Sequence, residues 1–122
     1  MRLGLDYSIN IGKLGVIPFP SGYYVYVGSA LNGLSKRISR HKRSKKKLRW
    51  HIDYLLKKAR IVETFTHVTD QKLECEFNKK VQALPDARVL VKGFGSSDCK
   101  CSAHLTFFDD KNPIASLKRI NL

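Results

Sequence analysis

Acidic residues are scarce in this 122-residue chain: ten Asp and Glu stand against 23 Lys and Arg, a net charge of +13. An excess of that size predicts polyanionic partners, nucleic acid first and an anionic membrane surface second. Long apolar runs are also missing. No stretch approaches the ~18 residues of a membrane span, and Met1-Arg2-Leu3-Gly4-Leu5-Asp6 lacks the apolar core of a secretory leader. The expectation is an intracellular protein, cytoplasmic in the first instance, with no membrane contact. Cysteine is sparse too: only Cys75, Cys99 and Cys101. Their odd number and lack of framework spacing argue against a secreted disulfide scaffold, and a bridge between Cys99 and Cys101 would be strained, so both read as thiols or ligands. What remains is a chain with 43% apolar residues, enough for one core and too many for wholesale disorder. Its length predicts a single domain over residues 1–122.

The charge is concentrated. Residues 35–60 hold 12 Lys or Arg and one acid, Asp53, leaving only +2 for the rest of the chain. Such a run can be a solvated helical face, but its density and the near absence of acidic partners favour nucleic-acid binding. The phosphate-contacting candidates are Gly28, Ser29, Arg40, Lys42, Arg43, Lys45, Lys46, Lys47 and Arg49.

The pattern predicts an α+β fold, with about three or more strands in a central antiparallel sheet and about three flanking helices. The stretch from Leu3 to Ile11 reads as a weak first strand, and Pro18-Phe19-Pro20-Ser21-Gly22 as a turn. Tyr23–Val27 is the best strand, all aromatic or β-branched. A basic helix over 34–42 carries Leu34 and Ile38 on one face, and a polar linker over 43–47 leads to a second helix near 50–58. Residues 61–68 alternate as a strand. Asp70 can cap a third helix with Leu73, Phe77, Val81 and Leu84 on one stripe, stopped by Pro85-Asp86. Val89–Val91 and Leu105–Phe108 read as short strands joined by a polar loop over 93–103 rich in Gly, Ser and Cys.

Tyr24 and Tyr26 are two apart on a strand, so both hydroxyls point to one face. Gly28 then allows a sharp turn. On the basic helix Arg37 and His41 are four apart and share a face, with Arg40 close by. A phenol, a guanidinium and an imidazole together suit a phosphodiester: arginine grips phosphate oxygens bidentately, and tyrosine or histidine helps move a proton from water.

The segment Tyr26-Val27-Gly28-Ser29-Ala30, followed by Leu34, Arg37, Ile38 and Arg40-His41, resembles the GIY-YIG nuclease superfamily. More narrowly, it is similar to a branch of that superfamily common in archaea and some bacteria. Gly12-Lys13-Leu14-Gly15, Phe19-Pro20-Ser21-Gly22, Trp50-His51-Ile52-Asp53-Tyr54-Leu55, Glu74-Cys75 and Phe94-Gly95-Ser96-Ser97-Asp98-Cys99-Lys100-Cys101 with His104-Leu105 carry this resemblance, which runs from about residue 9 to residue 108. It implies a compact nuclease domain that hydrolyses DNA with one divalent metal, Mg²⁺ or Mn²⁺. It also implies roles: Tyr26 as the tyrosine that is or assists the general base, Arg37 as the stabiliser of phosphate charge, and His41 as a supporting group. A glutamate on the third helix holds the metal. By helical periodicity Glu74 lies about 65° to one side of the apolar stripe and Glu76 about 95° to the other, which does not choose between them. The superfamily's flanking apolar residues match Leu73 and Phe77 and favour Glu74, with Glu76 as the alternative. The first motif, Gly-Ile-Tyr, departs: it should stand about ten residues before the second on its own strand, yet Gly22-Tyr23-Tyr24 abuts Tyr26-Val27-Gly28. Either the first tyrosine is lost, or Tyr24 or Tyr7 substitutes, or the true start lies upstream.

On the second helix His51 and Tyr54 line one groove, and His51 is a further candidate catalytic histidine; Trp50 reads as a packing residue. Cys99, Cys101 and His104 are ligand types suited to zinc, but their spacing is not that of a zinc knuckle. Cys75, as a fourth ligand, would point about 165° from the helix stripe. The reading therefore favours a loop that orders the site's rim through Asp98 and Ser97 over a zinc site. The leading functional expectation is a DNA endonuclease of low sequence specificity or specific for DNA structure. A non-catalytic module binding DNA or structured RNA is the alternative. The sequence names no protein partner.

Overall fold

The computed structural model describes residues 1–28, 51–63, 74–95, 102–109 and 112–119. The expected basic helix over 34–42, the linker over 43–47 and Trp50 lie outside the described residues.

Four strands form an antiparallel sheet in the order β1 (Arg2–Leu3), β4 (Gly22–Tyr26), β6 (Leu105–Phe108), β5 (Ala87–Arg88). A separate hairpin pairs β2 (Tyr7–Asn10) with β3 (Val16–Phe19). Among the described residues three α-helices accompany them: α1 (His51–Leu55), α2 (Glu74–Gln82) and α3 (Ile114–Lys118). The α+β expectation holds.

The sheet is built on β4 and β6, whose aromatic and β-branched residues favour an extended, packed backbone. Their register sets Tyr24 opposite Phe107 and Tyr26 opposite Leu105 on one face, and Tyr23 opposite Phe108 on the other. The first face closes a core of Leu3, Ile11, Phe19, Ile52, Leu55 and Phe94. The second packs on Val81 and Leu117 of the helices, with Phe77, Val25 and Leu84 at its margin. Because both faces are covered, β6 is buried at all four positions and reads as a continuous run rather than an alternation. Of the stripe Leu73, Phe77, Val81 and Leu84 expected on the third helix, Phe77, Val81 and, just past the end of α2, Leu84 face the second core, while Leu73 and the expected cap Asp70 lie outside the described residues.

Several local expectations need correction. The stretch from Leu3 to Ile11 is not one strand. It breaks at Gly4-Leu5-Asp6, where the Asp6 carboxylate accepts the Ser21 N–H at 2.7 Å, and its halves join different sheets. The turn read over residues 18–22 narrows to Pro20-Ser21. Pro18 lies within β3 opposite Ser8, which costs nothing because β3 is an edge strand. Val89–Val91 is not a strand: pairing to β6 stops at Arg88, Val89 and Leu90 are exposed, and Val91 turns into the core. Of the strand read over residues 61–68, positions 61–63 are non-strand and the rest lies outside the described residues. Before it, Arg60 bridges Arg2, each backbone bonding to the other. Helix α3, before which the Asn112 side chain accepts the Ile114 N–H at 3.0 Å, had no counterpart in the sequence reading.

Candidate functional site

The sheet delivers Tyr26 at the end of β4, beside the start of β6. The Tyr26 ring is half-buried and seated between two glycines. A Cβ at Gly28 would stand 3.0 Å from one edge of the ring, and a Cβ at Gly95 would stand 3.1 Å from the other. The need for Gly28 is therefore space for this ring rather than a sharp turn: its φ is not positive, whereas that of Gly95 is +68°. Phe94 stands edge-on to Tyr26 with ring centres 6.4 Å apart, fully buried beneath it.

His51 reaches the same place from α1. Its ring packs on Phe94 at 5.5 Å, and its Nδ1 accepts the Gly95 N–H at 2.9 Å. An accepting Nδ1 places the proton of the neutral ring on Nε2, so His51 presents an N–H donor. Burial disfavours its cation and holds its pKa below the usual histidine value. One residue, Gly95, thus positions both a phenol and an imidazole.

Tyr24 does not share this role. It is 1% exposed, its hydroxyl donates to the Pro20 carbonyl at 2.6 Å, and burial, with the nearby Asp6 charge, raises its pKa far above that of an ordinary phenol. The expectation of Tyr24 as a catalytic hydroxyl is corrected: same-face alternation holds, but the face is the core. Tyr7 likewise packs against the core, with the Lys58 ammonium 5.2 Å from its ring centre. Tyr54 brings its hydroxyl to the turn after β2, where a Cβ on Gly12 would lie 3.2 Å away.

Helix α2 borders the site through a polar face. Asn78 and Gln82 both donate to the Ala103 carbonyl, at 2.7 and 3.0 Å. Cys75, on the same face, has its Sγ 3.9 Å from His104 Nε2. The direction of Cys75 away from the apolar stripe is therefore no argument against contact: the helix is packed on two sides. His104 is 2% exposed, and its Nδ1 lies 2.9 Å from the Val27 carbonyl. Its backbone joins Phe94 to Val27, donating to one and accepting from the other. Of the metal candidates, Glu76 is exposed on α2 and Glu74 opens that helix, but the Glu74 side chain lies outside the described residues. Also outside them are Arg37, His41, Ser29, Arg40, Lys42, Arg43, Lys45, Lys46, Lys47, Arg49, Ser97, Asp98, Cys99 and Cys101. Among the described residues no three His, Cys, Asp or Glu side chains gather to hold a metal, and no helix is long and apolar enough to cross a membrane.

The sequence reading missed Phe94 and Gly95 as site builders. The signal available was Gly95 itself, in the resemblance segment, next to an aromatic. It also missed the burial of Asp53, which is completely enclosed on α1. A model of one known protein family, described as domain of unknown function DUF123, matches residues 1–121. No curated protein and no solved structure gives a significant match.

Proposed function

The chain belongs to DUF123, a GIY-YIG-like family, and from that membership we propose that it is a metal-dependent DNA endonuclease of the intracellular compartment, of the branch common in archaea. The observation that carries this reading is the convergence on Gly95: the Tyr26 ring packs against its Cα side while its N–H fixes His51.

In the proposed reaction, water attacks the phosphorus of a DNA phosphodiester and the bond to the leaving sugar oxygen breaks. Tyr26 orients the water and assists removal of its proton through the phenolic oxygen. His51, neutral with its proton on Nε2, donates to a phosphate oxygen without needing to titrate. Arg37, four residues before His41 in the basic run, pairs with the negative charge that develops on the phosphoryl group. A divalent metal such as magnesium would be held by Glu74, or alternatively by the exposed Glu76, together with substrate phosphates, as such ions are usually bound through one or two carboxylates. The bound metal supplies Lewis-acid polarisation of the phosphoryl oxygen. The lysines and arginines of residues 36–49 grip the backbone without reading bases, so selectivity follows DNA shape.

One observation favours the alternative, a non-catalytic module binding DNA or structured RNA: the Tyr24 hydroxyl is spent on Pro20, so it does not replace the missing first-motif tyrosine. Cleavage of branched, nicked and plain duplex DNA with Mn²⁺ separates the two. The nuclease reading expects metal-dependent cleavage that falls on the order of 10²–10³-fold in Arg37→Ala and Glu74→Gln. Tight binding of DNA without cleavage under any divalent metal supports the binding module.

A further inference from the structure

Tyr26 stands on one face of the sheet. The other face carries a row of side chains that the proposed phosphodiester chemistry does not use. Strand pairing aligns Ala87, Phe108, Tyr23 and Arg2 across β5, β6, β4 and β1, and the bridge beyond β1 adds Arg60. Residues directly opposite one another in antiparallel strands share a face, so all five side chains lie on the same side. Exposure rises towards the end of the row: Phe108 is buried, Tyr23 and Arg2 are half-buried, and Arg60 is exposed. The apolar packing beneath the helices thus gives way at its margin to two neighbouring guanidinium groups.

The backbones of Arg2 and Arg60 fix this neighbourhood, since each N–H donates to the other's carbonyl, at 3.0 and 3.1 Å. The Cα atoms of such a pair stand about 5.5 Å apart. Like charges placed directly opposite repel and weaken the pairing. Among the described residues neither guanidinium has a carboxylate partner. Arg2 is also held in place: its guanidinium carbon lies 4.9 Å from the centre of the Tyr23 ring, and its Nη1 is enclosed without a hydrogen-bond acceptor. An anion between the two side chains offsets both costs. It screens the repulsion, and it gives the partly desolvated Arg2 cation a counter-charge and charge-assisted hydrogen bonds. Phosphate suits the pair best. Arginine forks match its oxygens bidentately, and a tetrahedral phosphate offers a separate edge to each of two forks.

We propose that Arg2 and Arg60 form a phosphate-binding site on the sheet face opposite Tyr26, with the Tyr23 ring as the platform that orients Arg2, and that its ligand is a phosphate of a nucleic-acid backbone. Arg60 is the last residue of the basic run and Arg2 lies outside it, so the bridge between them extends the cationic surface onto the sheet itself. The site positions a strand and reads no base. This inference rests on nucleic-acid binding, which the nuclease and the binding module share, and not on cleavage.

The test follows the arginine side-chain Nε–H signals of the full chain by NMR while a short DNA duplex, or inorganic phosphate alone, is added. The Arg2 and Arg60 signals are expected to shift together in both titrations, and Arg60→Gln is expected to abolish most of the Arg2 shift. In parallel, the double variant Arg2→Gln/Arg60→Gln should lower the slope of log affinity for duplex DNA against log salt by roughly 1, the share of one phosphate contact. Shifts with inorganic phosphate alone, with DNA moving neither signal and the slope unchanged, would keep the phosphate site but overturn its nucleic-acid ligand in favour of free phosphate or a nucleotide. No shift in either titration overturns the site, as does a shift of one arginine without the other or an Arg2 shift that survives Arg60→Gln. Should the double variant fail to fold, Arg60→Gln decides, because Arg60 is exposed and its replacement leaves Arg2 on Tyr23. DNA that is bound here but not cut counts against the nuclease alone.

Discussion

His51 shows how much of this site depends on single atoms. Its Nδ1 is committed to Gly95, and burial makes its folded pKa lower than the ordinary value of 6.5. The unfolded chain therefore binds more protons between the folded value and pH 6.5. The stability contributed by this ring is full above pH 6.5 and is lost as pH falls through the folded value. The Met1 ammonium, buried and bonded to the Tyr24 carbonyl at 2.7 Å, is lowered from 8.0 to about 6 and adds a slope of the same sign between those pH values. Urea unfolding followed from pH 7 to pH 5 should show stability declining, and His51→Asn, whose Oδ1 can still accept from Gly95, should flatten the lower part of the decline. An NMR titration that puts His51 at or above 6.5 contradicts this account. Tyr26 and His51 were legible in the sequence because each lies in a short segment whose neighbours fix its direction, a strand in one case and a helical turn in the other. The pairing of Cys75 with His104 was not, because a helix reading centred on the apolar stripe treats the opposite side as solvent. Here Asn78 and Gln82 turn that side into a second packed face by hydrogen bonding.

Among the elements, β4 and β6 were readable from composition alone, since runs such as Tyr-Tyr-Val-Tyr and Leu-Thr-Phe-Phe have few other stable uses. The β2–β3 hairpin was hidden because Pro18, ordinarily a turn residue, sits where an edge strand needs no N–H. Helix α3 escaped because it is short and contributes chiefly Leu117 to the core. The tightest joint in the sheet is at Gly22, where φ is +150° and a Cβ would fall 2.6 Å from the Phe107 ring and 3.0 Å from the Phe108 carbonyl. Ring and backbone are both walled in, so neither can yield cheaply. Gly22→Ala is expected to destabilise the fold by about 1–3 kcal/mol, the range of an overpacked core. Equilibrium denaturation checks it, and a change under ~0.5 kcal/mol would mean that the strands can shift apart at this point.

For the whole molecule the dominant fact is charge. The net charge is +13, nearly all of it between residues 35 and 60, and this is the charge on which the proposed binding of nucleic acid rests. Each phosphate contact contributes about 0.9 to the slope of log affinity against log salt on duplex DNA. Replacing Lys45, Lys46 and Lys47 together by Gln should weaken binding of any duplex and reduce that slope by roughly 2–3. An unchanged slope would place the binding surface elsewhere. Charge alone does not separate an enzyme from a binding module, because both hold phosphates in the same way.

The measurement that separates them is paired: cleavage and binding of one branched DNA by the unaltered chain, Tyr26→Phe and Arg37→Ala, in Mn²⁺. The account predicts cleavage by the unaltered chain. In Tyr26→Phe, which keeps the ring between Gly28 and Gly95 and loses only the hydroxyl, cleavage should fall on the order of 10²-fold or more while binding stays within a few-fold. Arg37→Ala should follow the same pattern with a larger loss of binding. Cleavage that persists unchanged in Tyr26→Phe would contradict the assignment of this residue, and binding without cleavage in all three proteins would contradict the nuclease itself.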